Sequence, residues 1–214
     1  MRSIRELAPF VALMVVIVAA SNVLVQYPLH ATLAGIDLAN ILTWGAFTYP
    51  VAFLITDLTN RRFGVRAARI VVCCGFVIAV AVSVELAAPR IAAASGAAFL
   101  AGQLLDVTVF NRLRRMQWWL APLSSTVIGS IVDTTIFFGV AFAPFFAFVG
   151  ANDPFAIASA PAFGFLPFEV PRYVSWAAGD LSVKLIVGLG MLVPYGLLLA
   201  VMKPDRRALE GSAA

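Results

Sequence analysis

The sequence predicts an all-α integral membrane protein of six transmembrane helices with both termini cytoplasmic. Three observations predict it. Of the 214 residues, 62% are hydrophobic and 12% are charged, whereas soluble domains carry about 25% charged residues. A soluble core of that composition would lack the polar surface to cover it. Apolar runs approaching or exceeding the roughly 20 residues that a span requires recur six times along the chain. Basic residues then gather in the gaps on one side of those runs, as the positive-inside rule demands. The chain therefore reads as a single six-helix transmembrane domain over residues 1–214 with little left for a soluble domain.

The spans are drawn at 8–29, 41–56, 67–88, 91–111, 119–149 and 174–202. The first follows Arg2 and Arg5. Val18-Ala19-Ala20 resembles a signal cleavage site, but the apolar run continues through Val23, Leu24 and Val25 to Leu29, long enough to span. The second run is short, and the fifth and sixth are long, which implies tilt or a broken end. Pro89-Arg90 marks a tight hairpin between the third and fourth. The longest connection, 150–173, contains Pro154, Pro161, Pro167 and Pro171 and reads as an interfacial segment. Twelve basic residues fall on one side, from Arg2 and Arg5 through Arg61, Arg62, Arg66, Arg69, Arg112, Arg114 and Arg115 to Lys203, Arg206 and Arg207. Only Arg90 and Arg172 fall on the other. Both termini are cytoplasmic on that count, and the even number of spans agrees.

The formal charge of +4 is dispersed between spans and forms no basic tract, so nucleic acid is not an expected partner. Cys73 and Cys74 are adjacent within an apolar run and read as small packing residues. Small-residue spacings, Ala93–Ala97–Ala101 and Ser125–Gly129, would let helices approach closely.

Chemistry is expected where charge sits inside apolar runs. Asp106, Asp133, Asp180 and Lys184 all do. A charge at membrane depth costs several kcal/mol, roughly 2.5–3.5 on insertion scales, and is kept facing a bundle interior or a polar cavity. Asp180 and Lys184 are four apart, on one helix face. Read plainly they are an internal ion pair; a pair that substrate or a proton can break is also a switch. Thr126, Ser130, Asp133 and Phe137 form a helical stripe leading to the central acid. Gln103 precedes Asp106 by one turn, and that acid could serve interhelical hydrogen bonding alone. Asn22 and Gln26 are four apart toward the outer end of the first span. Trp44 and Tyr49 lie on the second; Trp and Tyr at span ends are commonly interfacial anchors, as Trp118 and Trp119 are expected to be, but Tyr49 is mid-span and fits that reading poorly. Together these residues suit a cavity for a planar heteroaromatic ligand with several N–H donors.

Other chemistries lack their residues. The lone histidine, His30, and the absence of a cysteine cluster leave no zinc site, so no metal or cofactor is expected. There is no Walker-type phosphate loop. Gly179-Asp180 is similar to the Gly-x-Gly-Asp signature of intramembrane aspartyl proteases, but position 177 is Ala. An intramembrane hydrolase is the distant alternative to transport.

A family resemblance emerges from the longer motifs. Ser21 to Pro28, Thr43-Trp44-Gly45-Ala46-Phe47, and Asp57-Leu58-Thr59 followed by Arg61 and Phe63-Gly64 carry its first part. The block Gly102-Gln103-Leu104-Leu105-Asp106-Val107, Val109 to Arg114 and Trp118-Trp119-Leu120-Ala121-Pro122 carries it furthest. It continues through Ser125-Thr126, Asp133-Thr134, Asp180, Lys184 and Pro194. These stretches resemble the YhhQ-type queuosine-precursor transporters of bacteria. The resemblance implies a six-helix inner-membrane importer of 7-cyano-7-deazaguanine, and of 7-aminomethyl-7-deazaguanine, feeding tRNA modification. It also implies kinship with substrate-binding membrane subunits of energy-coupling-factor vitamin importers, which is the main alternative. Expected partners are thus a small deazapurine, the lipid bilayer, and either further copies of the chain or an energy-coupling complex. Carboxylates can accept the paired N–H donors of a deazaguanine, and Trp44, Tyr49 or Trp176 can stack on its ring.

Overall fold

Within lipid a backbone must satisfy its own hydrogen bonds, so long apolar runs fold as helices. A computed structural model describes residues 4–24, 27, 29–33, 36–38, 44–86, 89–164 and 166–201. Six long helices account for most of them: α1 Ile4–Leu24, α2 Gly45–Phe63, α3 Val65–Leu86, α4 Pro89–Leu113 and α5 Leu120–Phe142, with the sixth, α7 Arg172–Val201, following the short α6 Pro154–Ile157. Two small antiparallel hairpins amend the all-helical expectation. Strand β1 (Thr32–Leu33) pairs with β2 (Ile36–Asp37), and β3 (Ser159–Pro161) with β4 (Glu169–Pro171).

Three of these helices, Pro89–Leu113, Leu120–Phe142 and Arg172–Ala200, are long and apolar enough to cross a membrane. Helix α7 leaves Ile186, Leu189, Val193 and Leu197 more than half exposed, at the three- and four-residue spacing of one helix face. In water so continuous an apolar stripe would be a liability; in a bilayer it meets its natural solvent.

Helix boundaries depart from the drawn spans where polar residues turn out to be buried. Helix α2 does not stop at residue 56 but runs a further seven residues, through Asp57, Thr59, Asn60 and Arg61. Its polar groups find partners on α4: Thr56 Oγ1 lies 2.5 Å from Gln103 Oε1, and Asn60 Nδ2 donates to the Val107 carbonyl at 3.0 Å. Both contacts advance by four residues in the same sense, so α2 and α4 are parallel neighbours. A single residue, Gly64, then joins α2 to α3. Its φ of +85° and its N–H donation to the Asn60 carbonyl at 2.9 Å end the helix, a conformation that glycine adopts without steric cost.

Helix α5 ends at Phe142 and not at 149. A 3₁₀ turn, Pro144–Phe146, follows it, and Arg90 explains why. Arg90, at the tight hairpin between α3 and α4, is only 4% exposed. Its guanidinium donates to the carbonyls of Val140 (2.7 Å) and Ala143 (2.6 Å), to those of Gly150 and Ala151, and to Asn152 Oδ1. A cation there satisfies the orphan carbonyls and the negative dipole end of α5. The long connection is also more structured than an irregular interfacial segment. Asp153 accepts N–H bonds from Phe155 and Ala156 to cap α6, and β3–β4 folds back toward α7.

Helices α4 and α5 cross tightly. A Cβ on Gly102 would meet the Gly129 carbonyl at 3.2 Å, and one on Gly129 would strike the Phe53 ring at 2.9 Å. The spacing Ser125–Gly129 does face the interior, whereas Ala93 and Ala97 are exposed and Ala94 and Ala98 pack inside instead. The main core joins Met14 and Val18 of α1 to Ile55, Val71, Val72, Phe99 and Val107. A smaller one places Tyr195 of α7 against Leu58, Phe110 and Ala121.

Candidate functional site

The seam between α5 and α7 gathers three of the four charges singled out in the sequence. Contacts run in opposite senses along the two helices: Thr134 meets Asp180, Asp133 meets Lys184, and Thr126 meets Gly188. The helices are therefore antiparallel. Lys184 Nζ lies 2.5 Å from Asp180 Oδ2 and 2.7 Å from Asp133 Oδ2, and also donates to Thr134 Oγ1 at 3.3 Å. Thr134 in turn donates to Asp180 Oδ2 at 2.8 Å. The expected i,i+4 pair is thus a triad, with Asp133 as its second acid. Desolvated charges survive only with such partners.

The triad is graded in access. The side chains of Lys184 and Asp133 are 6% and 4% exposed, while that of Asp180 is 20% exposed. Asp180 is the rim. With two carboxylates against one ammonium, the ionised triad carries a net charge of −1, which suits N–H donors or a cation. Trp176 stands one turn before Asp180 on the same face. Its ring lies 5.7 Å from Phe142 and 6.1 Å from Phe155, with Tyr173 stacked on Phe142 at 6.5 Å. An aromatic roof therefore stands above the acidic rim.

Gln103 and Asp106 are not part of that triad. They face α2, in a second polar cluster with Thr56, Asp57 and Asn60, to which α5 adds Ser125. Ser125 Oγ is 3.3 Å from Asp57 Oδ1. Every one of these six residues is buried. Asp57 and Asn60 were missed as candidate site residues because they stand after the drawn end of a span, beside Arg61 and Arg62, where polarity reads as a cytoplasmic loop. The signal available was the helical spacing Thr56–Asp57–Asn60, one face of a helix that had only to continue one turn.

A narrow cleft lies beside the second cluster. It opens between α2, α5 and α7 and is lined by Pro50, Leu54, Asp57, Thr126, Gly188 and Tyr195, among others; its non-atom space is about 260 Å³ counted out to its open mouth. Gly188 is one turn beyond Lys184, and Asp57 belongs to the second cluster. Along α7, Asp180 and Tyr195 are separated by about 22 Å of helix.

The remaining candidates are placed as follows. Trp44 is half exposed and packs on Phe47 at 6.1 Å, as an interfacial anchor does. Trp118 and Trp119 are likewise exposed beside the arginines, and Trp118 also covers Gly196. The side chains of Asn22 and Tyr49, and all of Gln26, lie outside the described residues. The arginine end is braced by the Arg61 guanidinium, which donates to the Arg114 carbonyl. Among the described residues no group of three or more His, Cys, Asp or Glu is arranged to hold a metal ion.

The family model described as "Putative vitamin uptake transporter" matches residues 43–87 and 83–198. A protein of Escherichia coli (strain K12) named "Queuosine precursor transporter" is 38% identical, over 92% of this chain and 90% of its own length. One of Haemophilus influenzae named "Probable queuosine precursor transporter" is 37% identical, over 87% of this chain and 83% of its own. A Bacillus subtilis (strain 168) protein with that same name is 29% identical over 47% of this chain and 56% of its own. No solved structure matches.

Proposed function

This chain belongs to the vitamin uptake transporter family, and from that membership we propose that it imports queuosine precursors across the bacterial inner membrane. It is a transporter and not an enzyme. The cargo we propose is 7-cyano-7-deazaguanine, with 7-aminomethyl-7-deazaguanine as a second substrate. The six long helices all cross the bilayer in this reading, with both termini in the cytoplasm and the arginine-rich end of α2, α3 and α4 facing in.

One observation carries the reading: a buried triad of net charge −1 with its rim acid under an aromatic roof. A deazaguanine offers adjacent N–H donors along its pyrimidine edge, and a carboxylate accepts two such bonds in a charge-assisted pair. Asp180 is the carboxylate that a base entering the seam meets first. Trp176 gives the flat ring a face to stack on. Lys184 is bound to both acids, so binding at Asp180 shifts the lysine toward Asp133. The mechanism uses no metal and no cofactor. Gln103 and Asp106 belong to the deeper cluster.

The test uses bacterial cells that cannot make 7-deazaguanines. With this chain expressed, queuosine should appear in their tRNA when 7-cyano-7-deazaguanine is supplied at low external concentration. Cells with an inactive chain should need far more. Equal response with and without the chain would remove the proposal.

A further inference from the structure

We propose that Asp57 and Asp106 form a proton site that couples uptake to the proton gradient, a step that rests on the import reading above. Helices α2 and α4 are parallel, and the cross-helix contacts Thr56–Gln103 and Asn60–Val107 bracket the two acids within one helical turn. Asp57 is 2% exposed and Asp106 is fully buried. Neither Asp106 oxygen completes a hydrogen bond among the described residues; the groups facing it are the Ser125 hydroxyl and the Asp57 carboxyl. Two carboxyls bracketed within one helical turn and withdrawn from water are stable when they hold one proton between them. This is a different arrangement from that of the triad, where Lys184 stands between the two carboxyls.

The surroundings favour a proton over a metal ion. The titratable or charged groups facing the pair are Tyr195 from α7 and Arg61, one turn further along α2. Arg61 itself donates to the Arg114 carbonyl, and α5 contributes the neutral Ser125. Tyr195 is 1% exposed, its hydroxyl has no hydrogen-bond partner among the described residues, and it lines the cleft together with Asp57. The site thus has a polar wall on the cleft that Asp57 and Tyr195 line together. In transport, a proton from outside lands on the pair while substrate occupies the triad. The proton then leaves to the cytoplasmic, arginine-lined end as substrate is released. Nothing is oxidised or reduced, and one proton moves inward with each substrate.

The test uses purified protein in liposomes, with the membrane potential clamped by potassium and valinomycin, and labelled 7-cyano-7-deazaguanine as probe. With the outside about one pH unit more acidic, one-to-one coupling should hold the substrate inside at about tenfold its external concentration. Asp106→Asn and Asp57→Asn should each bring that ratio to about one, whatever their absolute rates. The inference is overturned by a wild-type ratio indifferent to the pH gradient, by one that follows a sodium gradient instead, or by a well-folded variant that still accumulates tenfold. Should neither variant fold, a pH dye trapped inside wild-type vesicles decides the matter: substrate-dependent acidification supports the site, and its absence overturns it. Exchange of labelled for unlabelled substrate without any gradient is measured alongside. Its absence would strike the import reading itself, whereas exchange without proton movement would strike only the coupling.

Discussion

Lys184 has two carboxylate partners, and its substitution should not equal that of either acid. Lys184→Met strands Asp133 and Asp180 together in a poorly solvated seam. Leaving a buried charge without its partner costs about 3–5 kcal/mol. Asp180→Asn is milder, since Asp180 is the more exposed acid and Lys184 keeps Asp133 at 2.7 Å. Thermal unfolding in detergent should rank Lys184→Met well below Asp180→Asn. The double variant should recover only part of the loss, with Asp133 still uncompensated, and should not recover transport. Equal melting temperatures for the two single variants would mean that the triad does not act as one unit.

At the scale of elements, the decisive contacts are those where one helix has no room for a side chain. Gly129 sits where α4, α5 and the Phe53 ring of α2 converge. Gly129→Leu would force these helices apart, and overpacking of this kind costs about 1–3 kcal/mol. Because Asp133 is one turn along α5, the displacement should also lower uptake, whereas Gly139→Leu, which meets nothing within 4 Å, should change neither. Melting temperature and uptake measured together check both expectations. These elements were largely legible in the sequence, because apolar runs in lipid have one stable solution. Their ends were legible only where a glycine, proline or charge acts locally. The end of α2 was missed because Thr56 and Asn60 are satisfied by α4, 47 residues away. The end of α5 was missed because its cap, Arg90, comes from the start of another helix. The candidate site divided in the same way. The i,i+4 spacing announced Asp180 with Lys184, but no spacing within a single helix could announce Asp133 as the third member. Nor could it show that Asp106 faces Asp57.

At the scale of the whole molecule, charge and apolar surface together set its place in the membrane. Arg61, Arg62, Arg66 and Arg69 cluster at the α2–α3 turn, and Arg112, Arg114 and Arg115 lie at the end of α4. The opposite end has Arg90 and Arg172 as its basic residues, and Arg90 is withdrawn into a cage of carbonyls. Single cysteines at Arg66 and Arg114, in a background lacking Cys73 and Cys74, should label with an impermeant reagent only from the cytoplasmic side. One at Asn152 should label from outside. Outside labelling at Arg66 would reverse the orientation; a shared side for Arg66 and Asn152 would undo the span count.

Transport without a partner is the most direct test of the whole account. Purified protein alone in liposomes should take up labelled 7-cyano-7-deazaguanine, saturably, and unlabelled precursor should compete while adenine does not. Asp133→Asn protein, equally well incorporated, should lose that uptake. Binding without flux would make the chain the substrate-binding subunit of an ATP-driven importer. Neither binding nor flux, or full uptake by a well-folded Asp133→Asn protein, would contradict the account.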